Sequence, residues 1–164
     1  MNEMNFLRKI KNEGKIELVE PSEEMKSSYL KKSEDCLRSA RILLQNQLYE
    51  NSTSEAYYGM YNALLALLFK VGIKSENHSA SLLIFKELFH EESLYKLASH
   101  AKEERIDKQY YVEARQASKA SKESCSDNVL KTEDFSVKMK LLISQMSNEK
   151  TNAVRSLFQE LFNE

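Results

Sequence analysis

The chain is poor in the residues that break helices: three glycines and one proline stand among 164 residues. That scarcity excludes a many-stranded β architecture, in which each reversal asks for Gly, Pro, Asn or Asp at special backbone angles. Tryptophan is absent and cysteine nearly so. Cys36 falls on an apolar helical face and Cys125 in a Ser-rich stretch, so neither reads as half of a disulfide, and a reducing setting is expected. No uncharged run approaches the ~20 residues that span a bilayer. Met1 to Gly14 carries Asn, Glu, Arg and Lys where a signal peptide would be continuously apolar, so the expected location is the cytoplasm, away from membranes. An excess of one charge is missing too. The 24 basic and 25 acidic residues nearly cancel, which leaves no global field to draw the protein onto phosphate backbones. Any contact with nucleic acid must come from a local patch.

What remains is helix-forming material, 30% charged and 41% hydrophobic, and the fold class it predicts is all-α. Residues 1–21 read as a short N-terminal arm, and 22–164 as one up-and-down bundle of four to five helices. Pro21, Ser22, Glu23 and Glu24 form a helix-start signature, with Ser22 as cap and the acids complementing the dipole. Tyr29, Cys36 and Leu43, shadowed by Leu30, Leu37 and Leu44, recur every seven residues and give that helix its buried face. A second helix is expected from a Ser52-x-x-Glu55 capping box to a stop at Gly72. Its half from Ala63 to Phe69 is apolar almost all round, which suits the centre of a bundle or a subunit interface. A third helix is expected from Asn77 or Ser79, and a fourth from Ser93 to Arg105. Residues 116–128 lack large apolar side chains and read as a mobile loop, after which Thr132 with Glu133 and Asp134 starts another helix.

The densest signal is Ser54-Glu55-Ala56-Tyr57-Tyr58-Gly59-Met60-Tyr61-Asn62-Ala63, with three tyrosines on two turns. Tyr57 and Tyr61 share a face, as do Tyr58 and Asn62. An aromatic row at helical spacing is either bundle core with satisfied hydroxyls or a stacking surface beside a cleft. Tyr58 is the position to test first. His78 lies where a loop enters a helix. It suits either a hydrogen bond to a phosphate or a brace for the loop. Arg105 with Asp107 suits a phosphate or an ion pair. Lys31, Arg38 and Arg41 run along one flank beside Glu34 and Asp35 and read as a solvated face. No cofactor is expected: no Gly-rich phosphate loop can be built from Gly14, Gly59 and Gly72, and no second ligand stands at metal spacing from His78.

Four pieces in order, Gly14-Lys15-Ile16 before Val19-Glu20-Pro21-Ser22, the Ser54 to Ala63 segment, Asn77-His78-Ser79, and Arg105-Ile106-Asp107-x-Gln109-Tyr110-Tyr111, resemble the HEPN domain superfamily. The likeness is to its small stand-alone prokaryotic branch of uncharacterised proteins. It implies a helical bundle, commonly a homodimer, in a group that includes RNA-cleaving toxins, antiphage ribonucleases and partners of small nucleotidyltransferases. The catalytic members carry Arg followed four to six residues later by His, and act on RNA without metal. None of His78, His90 and His100 follows an arginine at that distance. The nearest echo is Arg105 with Tyr110 and Tyr111, and a tyrosine of ordinary pKa near 10 is a poor base at neutral pH. Two functions follow from the resemblance. One is an RNA- or nucleotide-associated module of a defence or toxin-antitoxin system. Its binding residues would be Tyr58, Tyr61, His78, Arg105 and Tyr111, and Arg105, His78 and Tyr110 would be the candidates for catalysis. The other is a non-enzymatic or antitoxin-like subunit that pairs with a nucleotidyltransferase or another protein.

Overall fold

The computed structural model describes residues 2–110 and 121–163, with backbone alone for 107–110. Among these residues the chain forms seven helices and one two-stranded sheet, in the order α1 (Glu3–Asn12), β1 (Ile16–Leu18), α2 (Glu23–Gln45), α3 (Tyr49–Val71), β2 (Ile73–Ser75), α4 (His78–Phe89), α5 (Glu92–Tyr110), α6 (Lys122–Ser144) and α7 (Asn148–Phe162). The protein is an all-α bundle, with more helices than the four or five expected.

Helix α3 is the axle. Fourteen of its 23 residues are buried, and Tyr57, Ala63, Leu64, Leu67 and Leu68 have no exposed surface. A helix apolar all round must be covered all round, since each large side chain removed from water contributes roughly 1.5–3 kcal/mol. Helices α2, α5 and α6 supply most of that cover. The helices come close at Gly59, where an added methyl would sit 3.0 Å from Thr132 Cγ2 and 3.6 Å from the Ser33 carbonyl oxygen. Ser33 Oγ donates to that glycine's own carbonyl at 2.7 Å.

Several starts and stops follow the local rules. Ser22 Oγ accepts from the Met25 amide at 3.1 Å, and Asn77 Oδ1 from the Ala80 amide at 3.0 Å. Gly72 closes α3 in the left-handed region, φ 76°, as C-terminal caps require. Three expectations are corrected. The N-terminal arm contains a helix, α1, capped by Asn2 and burying Leu7 and Ile10. Its following residues, Ile16–Leu18, pair antiparallel with β2, with Ile16 opposite Ser75. The second helix begins at Tyr49 rather than Ser52. Ser52 forms no capping box and instead donates to the Ala40 carbonyl at 2.7 Å, a bond to α2 that sequence spacing cannot foretell. Finally, residues 122–128 of the expected loop are helical, and Thr132 is mid-helix, donating to the carbonyls of Asn128 and Ala56. Cys125 and Val129, buried against α2 and α3, make that turn part of the core. Residues 116–120 of that segment lie outside the described residues. Both cysteines are free, and no described helix is long and apolar enough to cross a membrane.

Candidate functional site

The tyrosine row of α3, the first turn of α4 and the middle of α5 meet at one place. Tyr61 stacks on the His78 ring with centroids 3.9 Å apart and planes 17° from parallel. Tyr58 meets the same imidazole edge-on at 6.3 Å. The Tyr57 hydroxyl lies 2.7 Å from His78 Nδ1. On the other side Arg105 donates from a terminal guanidinium nitrogen to the Tyr58 hydroxyl at 2.9 Å, and its charge sits over the rings of Tyr57 and Tyr58 at 5.4 and 5.3 Å. Such stacking suits a planar guanidinium. Lys102, one turn before Arg105, donates to Ser79 Oγ on α4. The Tyr61 hydroxyl ties the row to the first turn of α4 and through it to β2: it lies 3.2 Å from Ser81 Oγ, which lies 2.7 Å from Ser75 Oγ of β2.

The electrostatics follow from this crowding. Burial, then the charges of Arg105 and Lys102, hold the His78 pKa below its ordinary value, so at neutral pH the ring is neutral. Burial pushes the Tyr57 hydroxyl far above its usual range and raises that of Tyr61 as well. A protonated Tyr57 with no other partner among the described residues donates to Nδ1, which puts the imidazole proton on Nε2. In that tautomer Nε2–H is a hydrogen-bond donor and holds no lone pair with which to take a proton. Lys102 is also pushed below its usual value, by burial and by Arg105. Among the described residues no carboxylate lies within ion-pair distance of its ammonium. The arrangement can offer donors and positive charge to an anion.

Residues 27–136, more than half of the chain, match the HEPN domain family. The chain belongs to that family. Two relatives are the UPF0332 protein PH1297 of Pyrococcus horikoshii, 40% identical over 57 residues, and the UPF0332 protein glr0978 of Gloeobacter violaceus, 33% identical over 54. Those stretches make up 35% and 33% of this chain and only 40% and 43% of the two relatives.

Within this HEPN bundle the structure brings Tyr58, Tyr61, His78 and Arg105 together. Tyr61 is buried under His78, so its ring positions the imidazole. Tyr111 and the side chain of Tyr110 lie outside the described residues. Sequence reasoning missed Tyr57 as the partner of Nδ1, missed Lys102 altogether, and read Ser79 only as a helix start and a piece of the family resemblance. The signal for Lys102 was its i, i+3 spacing from Arg105, which puts both cations on one face of α5. Of the flanking basic residues, Arg41 donates from Nε and Nη2 to one oxygen, Oε1, of Glu133 on α6, at 2.8 and 2.5 Å. Among the described residues no group of three or more His, Cys, Asp or Glu could hold a metal ion.

Proposed function

We propose that this HEPN protein binds the phosphate of unpaired RNA or of a nucleotide at the α3–α4–α5 junction. Lys102 and Arg105 take the phosphate, His78 Nε2–H a phosphate or ribose oxygen, and Tyr58 stacks on a base or meets a 2′-hydroxyl. Its setting is a defence or toxin-antitoxin system. The observation that supports the reading best is the pair of part-buried cations on α5, Lys102 and Arg105, with the Lys102 ammonium pushed below its usual pKa by burial and by Arg105. Two like charges held part-buried side by side are costly, and an anion shared between them relieves that cost. Cleavage is left out of the proposal, because His78 has its proton on the free nitrogen and no arginine stands four to six residues before it.

The test is fluorescence anisotropy with mixed-sequence single-stranded RNA, at about 50 and about 200 mM salt. The expected result is salt-sensitive binding, weakened about tenfold by either Lys102→Ala or Arg105→Ala, each lowering the salt slope by about 0.7. No salt-sensitive binding by the parent removes the reading. RNA cleavage abolished by both Arg105→Ala and His78→Ala would replace it with an enzyme.

A second reading has its own observation. Leu130, Val137 and Leu141 leave 61%, 67% and 57% of their surface exposed along one face of α6. Such a stripe suits docking of a second copy or of a nucleotidyltransferase subunit.

A further inference from the structure

The phosphate-binding reading concerns one side of Tyr58; on its other side is a cleft of ≈ 290 Å³ between α2 and α3. Leu43 of α2 forms its apolar wall, and Glu50, Asn51, Ser54, Glu55 and Tyr58 the rest. Asn51, Ser54, Glu55 and Tyr58 are spaced i, i+3, i+4 and i+7, so one stripe of α3 lines it. The volume is at the lower limit of small-ligand pockets, roughly 300 Å³, enough for a flat heterocycle and little more.

Three of the polar groups here are uncommitted, and the fourth, Glu55, accepts a hydrogen bond only from the Cys36 thiol among the described residues. The side chains of Glu50, Asn51 and Ser54 have no hydrogen-bond partner among the described residues. The half-buried Glu55 has no cation within ion-pair distance there; its neighbour is the Cys36 thiol, whose pKa is pushed up to about 11 by burial and by Glu55. A carboxylate beside a neutral thiol and facing a cleft accepts hydrogen bonds and repels phosphate. Across Tyr58 stand Arg105 and Lys102, which do the opposite. A ligand that satisfies both sides therefore has donors at one end and a phosphate at the other.

Resting on the phosphate reading, we propose that the cleft takes a guanine base, with its phosphate reaching over Tyr58 to Arg105 and Lys102. Among the four bases only guanine presents two adjacent donors, N1–H and N2–H, on its Watson–Crick edge. Those two match both oxygens of the Glu55 carboxylate, while the Asn51 amide can donate to O6. Adenine and cytosine would set a ring-nitrogen lone pair against the carboxylate, and uracil has one donor between two carbonyls. The tyrosine ring supplies the stacking face that any base accepts. The chemistry is that of a guanosine phosphate unit, either a free nucleotide or one residue of an unpaired RNA.

The experiment is calorimetric titration of the full chain with the 5′-monophosphates of guanosine, adenosine, cytidine and uridine, and with oligouridylate carrying one or no guanosine. GMP is expected to bind at least about tenfold more tightly than the other three, about 1.4 kcal/mol. Glu55→Gln should abolish that preference and leave the weak, salt-sensitive binding common to all four. Lys102→Ala should weaken all four alike. Guanosine-dependent binding of the oligouridylate with none of GMP assigns the site to RNA, the reverse assigns it to the free nucleotide, and either carrier supports the proposal. Equal binding of all bases by the parent, or a guanine preference that survives Glu55→Gln in a variant with the parent's helicity, overturns the cleft assignment and leaves the phosphate reading standing. No binding of any nucleotide or RNA overturns both.

Discussion

His78 shows how neighbours decide what a residue can do. Its sequence position, at the start of a helix, suits an anion contact, and its ordinary pKa would leave it partly charged at neutral pH. Tyr57, Tyr61, Arg105 and Lys102 together remove that charge. The consequence for stability has a definite sign. A base whose folded pKa is lowered binds fewer protons folded than unfolded once the pH drops below about 6.5, so stability falls as pH falls through that value toward the folded pKa. Urea midpoints for the parent should drop more between pH 7.5 and pH 5.5 than those of His78→Gln, with His90 and His100 common to both. Parallel pH profiles would show that His78 is as free to protonate in the fold as out of it.

At the scale of elements, the junction of α3 with β2 carries more than its length suggests. Gly72 turns left-handed so that α3 stops and the strand begins, and the Val19 amide donates to its carbonyl at 2.9 Å. From α7, Arg155 Nη1 donates to the carbonyls of Val19, Val71 and Gly72 at 2.7, 3.1 and 2.9 Å. One guanidinium thus bonds carbonyls at a helix end and a strand end together. Gly14 offers the internal comparison, since it too has a positive φ, 73°, but nothing within 4 Å of where a Cβ would lie. A Cβ at Gly72 would overlap the Val19 carbonyl oxygen and the Arg155 guanidinium. Gly14→Ala should therefore cost about 1–2 kcal/mol from backbone conformation alone, and Gly72→Ala clearly more, measured by urea unfolding. Equal losses would mean that the strand pair shifts freely to make room. The stop at Gly72 was legible because left-handed caps favour glycine. The role of Arg155 was not, because its three acceptors lie more than eighty residues away in sequence.

For the molecule as a whole, the apolar face of α6 poses the open question. Leu130, Val137 and Leu141 are spaced by seven and four residues, and beside them the exposed pairs Arg41–Glu133 and Lys140–Glu34 bridge α2 to α6. Pairs so exposed contribute about 0.2–1 kcal/mol each, so the bundle is not held together there. A face of this kind is stabilised by being covered. If a second copy covers it, light scattering should give a mass near twice that of the chain, and Val137→Glu with Leu141→Glu should halve it without loss of helicity. A parent that is monomeric at all concentrations would exclude the second copy and leave a different protein as the docking partner.

The sequence by itself determined the all-α class, the central place of the Tyr- and Leu-rich helix α3, the cap at Ser22 and the stop at Gly72, and the resemblance that the family match bears out. These are local properties, set by spacing along one helix and by the conformations that particular residues allow. Only the tertiary structure decided that Tyr57 and Tyr61 support His78 while Tyr58 is divided between two surfaces. It likewise decided that Lys102 joins Arg105 against α4, and that Ser52 and Thr132 bond across helices in place of starting them. Which helices touch is settled by burying every side of α3 at once, and that condition binds residues far apart in the chain.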